Sequence, residues 1–74
     1  MKGVALLEQA RSLAEISVDE LEVSLRNYTT ENDLAVLRVG YVLCRRRREM
    51  GKCDLIASRI RMLEREQPWT KRIN

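Results

Sequence analysis

Seventy-four residues, 45% of them hydrophobic and 34% charged, describe one small soluble domain over residues 1–74, with residues 67–74 as its tail. Without histidine, without a glycine-rich phosphate loop, and with Cys44 and Cys53 outside any C-x-x-C spacing, the chain offers no metal site and no acid/base or nucleophilic set; no enzyme, cofactor or small-molecule substrate is expected. Charge is unevenly placed, residues 1–37 carrying three basic and seven acidic side chains and residues 38–74 eleven and four.

Three glycines and one proline interrupt the chain, and no β-branched run alternates with polar residues, so helices are expected throughout. Over residues 4–15, Leu6, Leu7, Ala10, Leu13 and Ala14 gather on one helical face, with Glu8, Arg11, Ser12 and Glu15 opposite. Ser17 and Glu20 then hold the spacing of a capping box, and Val18, Leu21, Leu25 and Tyr28 make the inner face of a second helix. Its acidic first turn, Asp19, Glu20 and Glu22, suits the positive end of the helix dipole and offers a surface to a basic partner. After "YTTEND", with Thr29 or Thr30 as N-cap, a third helix is expected over 31–50, most buried from Leu34 to Cys44 and closed by Gly51 in the left-handed position. A strand is the rival reading of that segment, but no second strand-like run exists to pair with it. Asp54 caps a fourth helix over 54–67, striped by Leu55, Ile56, Ile60, Met62 and Leu63 and stopped by Pro68.

The fold class is therefore all-α, about four short helices with an antiparallel hairpin formed by 31–50 and 54–67. A core of this size rarely supplies more than about 3–5 kcal/mol. Completion by a homodimer is expected, with Leu34, Leu37, Tyr41, Ile56, Ile60 and Leu63 as core and dimer seam.

Function is sought in the arginines. Consecutive helical residues project about 100° apart, so Arg45, Arg46, Arg47 and Arg48 cannot share one face. Either the third helix leaves the body near Cys44 or these side chains meet acidic groups of another element or subunit. Arg38, Arg45 and Arg48 fall in a row, and with Arg46, Arg47, Lys52, Arg59, Arg61 and Arg65 they form the candidate surface for a partner. "DLIASRIRMLERE", Asp54 to Glu66, resembles the recognition helix of helix-turn-helix and winged-helix regulators, which implies Ser58, Arg59, Arg61 and Arg65 as DNA-reading side chains. The likeness ends with those residues. Taking Gly51 as the turn glycine puts Arg46 and Arg47 where that motif packs small or apolar side chains, and no β-wing sequence follows Pro68. Cys44 and Cys53 read as reduced, small hydrophobes too far apart along the hairpin for a disulfide, and Trp69 as a cover over the bundle end.

The segment Leu34 to Cys44, broken by Arg38, is far shorter than the roughly 20 residues of a membrane span, and no signal peptide is read at the N-terminus. The expectation is a cytoplasmic, non-enzymatic regulatory or adaptor protein that binds a protein partner through its arginine surface. A DNA-binding transcriptional regulator is the alternative, since arginine suits carboxylates and phosphates alike.

Overall fold

The computed structural model describes residues 2–66, with side chains from 5 to 66. It contains α1 (Lys2–Glu15), α2 (Val18–Leu25), α3 (Glu31–Arg46) and α4 (Met50–Glu66), and no strand among the described residues. The all-α class and the α3–α4 hairpin are as expected. Pro68 and Trp69, read as a helix stop and a cover, lie outside the described residues.

Two helix starts are fixed by side chains that satisfy free backbone N–H groups. Ser17 Oγ accepts from the Glu20 N–H at 3.2 Å, while Glu20 Oε1 accepts from the Ser17 N–H at 3.1 Å. At α3 the cap is Thr30, whose Oγ1 accepts from the Asp33 N–H at 3.1 Å. Asp33 Oδ2 closes the box on the N–H groups of Thr30 and Thr29, at 2.9 and 2.8 Å.

The end of α3 corrects the sequence reading. The helix stops at Arg46, not Met50, and the left-handed residue is Arg48, with φ of 60°. Its N–H donates to the Arg45 carbonyl and the Glu49 N–H to the Cys44 carbonyl, both at 3.0 Å, the paired bonds of a Schellman ending. Gly51 and Asp54 accordingly lie inside α4 and do not mark its start, and the Cys53 N–H reaches back to the Glu49 carbonyl at 3.1 Å. The arginine run does not extend as a helix beyond the body; it is folded into the corner.

The core is assembled from every helix. Ala10, Leu13 and Ala14 of α1, Leu21 and Leu25 of α2, Leu34, Val36, Leu37 and Cys44 of α3, and Cys53, Ile56 and Leu63 of α4 are buried together. α3 lies between α1 and α4, while α2 packs on α4. At Gly40 the three helices converge, since a Cβ there would meet Leu13 Cδ1 at 3.5 Å, and the Ala10 carbonyl and Ile56 Cδ1 at 3.8 Å. Leu34, Leu37, Ile56 and Leu63, expected to face a second copy as well, are covered by the chain itself, with Tyr41 and Ile60 half-buried against them. Leu7 and Val18, expected inside, are exposed, as are Val23, Val42 and Met50.

Candidate functional site: the division of the cations

A helix ends with carbonyls that have no partner within it, and these form the negative pole of its dipole. α1 has no basic residue in its last turn. The α3–α4 corner supplies two, Lys52 Nζ donating to the Ala14 carbonyl at 2.9 Å and Arg47 Nη1 to the same oxygen at 3.2 Å. Lys52, only 9% exposed, also lies 2.8 Å from Glu49 Oε1; that buried oxygen is held by charge without the alignment of a hydrogen bond.

α2 also lacks a basic last turn, but the backbone N–H groups of Arg26, Asn27 and Tyr28 satisfy its final carbonyls, and it is the turn that follows that is held from α4. Arg59 donates through Nε to the Tyr28 carbonyl at 3.0 Å and through Nη2 to the Arg26 carbonyl at 3.4 Å. Its Nη1 rests 3.5 Å from the Met62 sulfur. Arg59 is thus turned inward and is not free to read a nucleic acid, unlike the neighbouring Ser58, Arg61 and Arg65, which are exposed. Arg38 forms an ion pair with Glu64 at 2.7 Å, with both side chains largely in water. An exposed pair of this kind contributes at most about 1 kcal/mol and is easily exchanged for another partner.

Four of the nine candidate contact residues, Arg38, Arg47, Lys52 and Arg59, therefore have intramolecular partners. Arg45, Arg46, Arg48, Arg61 and Arg65 are exposed and make no side-chain hydrogen bond or ion pair among the described residues. They fall in two places. Arg45, Arg46 and Arg48 lie at the corner, close in sequence to the exposed Met50, and the exposed Val18 of α2 lies near Gly51. Arg61 and Arg65 stand farther along α4, on the rim of an open groove of ≈340 Å³ between α2 and α4. Arg26 completes that rim and was not singled out from the sequence. The signal available was its position four residues after Glu22, on the outer side of α2 beyond the buried Leu21 and Leu25.

The two cysteines are free and buried. Burial pushes the Cys44 thiol above its ordinary 9.0, with the Cys53 thiol adding to the effect. Burial, and then the Asp33 carboxylate, raise Tyr28 above 10.0. Among the described residues no three histidine, cysteine or carboxylate side chains are grouped closely enough to hold a metal, and no helix is long and apolar enough to cross a membrane. The chain matches no family model, no curated protein and no solved structure.

Proposed function

We propose that this chain is a non-enzymatic helical adaptor that binds an acidic protein partner through the arginines that have no ion-pair or hydrogen-bond partner among the described residues. One observation carries the reading: the cations are divided. Arg47 and Lys52 complete the end of α1 and Arg59 holds the turn after α2, whereas Arg45, Arg46, Arg48, Arg61 and Arg65 have no intramolecular partner among the described residues and stand near exposed or half-exposed apolar side chains. Arginine beside apolar surface is the composition favoured where proteins meet, since the planar fork pairs with carboxylates while the stem packs.

A second reading, nucleic-acid binding, is favoured by the exposed row Ser58, Arg61 and Arg65 on α4. Fluorescence anisotropy of the labelled chain against two probes separates them. An adaptor binds a glutamate-rich amphipathic peptide, and Arg45/Arg46/Arg48→Gln or Arg61/Arg65→Gln weakens that binding by about tenfold, as expected for two or three rim charges at about 0.5–1 kcal/mol each. Binding of a 20-base-pair duplex with a steep loss on adding salt, and none of the peptide, would overturn the adaptor reading in favour of the second.

A further inference from the structure

Resting on the adaptor reading, we propose that the groove between α2 and α4 is its docking site and that the occupant is an acidic amphipathic helix of the partner protein. The floor is apolar, formed by Leu25 of α2 and Leu55 and Met62 of α4. Arg26 stands on the α2 wall, Arg61 and Arg65 on the α4 wall. The fourth arginine of the lining, Arg59, is committed to the Arg26 and Tyr28 carbonyls just after α2 and ties that end of the α2 wall to α4.

Its dimensions decide what can enter. The α4 wall runs from Leu55 to Arg65, about 15 Å at 1.5 Å per residue, or just under three helical turns. A volume of ≈340 Å³ is too small to swallow a helix and large enough for two or three of its side chains. The fitting ligand therefore lays one face along the groove, with apolar anchors at i, i+4 and i+7 over the floor and carboxylates on both flanks within reach of the guanidinium groups. Three rim arginines against one rim carboxylate, Glu22, set the sign: an acidic flank is attracted and a basic one repelled.

The test uses the full chain and a fluorescein-labelled 15-residue peptide with leucine at i, i+4 and i+7, glutamate on the flanks and alanine elsewhere. Anisotropy is expected to show saturable binding below about 100 µM. Arg61/Arg65→Glu is expected to weaken it at least tenfold, while far-UV circular dichroism stays unchanged because both side chains are exposed. The same peptide with lysine replacing glutamate is expected to prefer the Arg61/Arg65→Glu variant over the parent chain, a reversal that mere loss of structure cannot produce. No binding up to 100 µM overturns the proposal. Binding that survives Arg61/Arg65→Glu and is lost in Arg45/Arg46/Arg48→Gln also overturns it, moving the dock to the corner and leaving the adaptor reading intact. Binding of duplex DNA in place of the peptide removes both.

Discussion

Arg48 occupies a backbone position that L-residues, unlike achiral glycine, enter at a cost of about 1–2 kcal/mol. Arg48→Gly is therefore expected to raise stability by about 1 kcal/mol, read as a higher urea midpoint; a lower midpoint would show that the arginine side chain supports the corner in some further way. Cys44 gives a pH dependence whose sign follows from burial. Its thiol is protonated in both folded and unfolded chains at neutral pH, and because the folded value lies above the ordinary 9.0, the unfolded thiol ionises first as pH rises. The stability linked to this group is complete below pH 9.0 and is lost as pH climbs through the raised value. Tyr28, also raised by burial, acts in the same direction at higher pH. The urea midpoint should fall between pH 7.5 and 10, and Cys44→Ala should reduce that fall. An identical fall in Cys44→Ala would assign the effect to other groups.

The helices differ in how openly the sequence declares their ends. Ser17 with Glu20 is a local pattern, three residues apart, and the structure has the capping box the spacing predicts. The start of α3 is equally local, though Asp33 as the reciprocal carboxylate was not anticipated because glutamate or glutamine is the usual residue there. The end of α3 was misread for a physical reason. Gly51 is the cheapest residue for a left-handed turn, and propensity points to it, yet the core needs Lys52 and Cys53 inside α4, which moves the turn back onto Arg48. What holds the end of α1 and the turn after α2 leaves no local mark, for the partners Arg47, Lys52 and Arg59 arrive from more than thirty residues away. Pattern reading thus placed the apolar stripes and could not separate structural arginines from free ones. Gly40 offers a test of the packing between elements. A methyl group there meets Leu13 and Ile56 at ordinary contact distances, and alanine is the better helix former by about 0.8–1.0 kcal/mol. Gly40→Ala is expected to stabilise by up to about that amount, whereas a destabilised variant would mean that α1 and α4 approach α3 more closely than described.

Across the whole molecule, the charge asymmetry of the sequence finds a partial cause in helix dipoles. Acidic residues occupy the first turns of α2 and α3, and cations from the α3–α4 hairpin reach a final carbonyl of α1 and the turn that follows α2. What the fold does not use remains as surface charge. With Leu34, Leu37, Ile56 and Leu63 already covered, and only Tyr41 and Ile60 of the expected seam half-exposed, a dimer seam built from all six would require opening the core. Sedimentation at about 10 µM is expected to show a folded monomer, and a stable dimer would restore self-association to its role. The division of cations can be tested without any partner by urea unfolding of two triple variants followed by circular dichroism. Arg45/Arg46/Arg48→Gln should unfold within about 0.5 kcal/mol of the parent chain, as surface changes do. Arg47/Lys52/Arg59→Gln should lose at least about 3 kcal/mol or fail to fold, because the buried Ala14 carbonyl and the part-buried Tyr28 carbonyl lose charged donors. Equal losses in the two variants, or a larger loss in the first, would contradict the division.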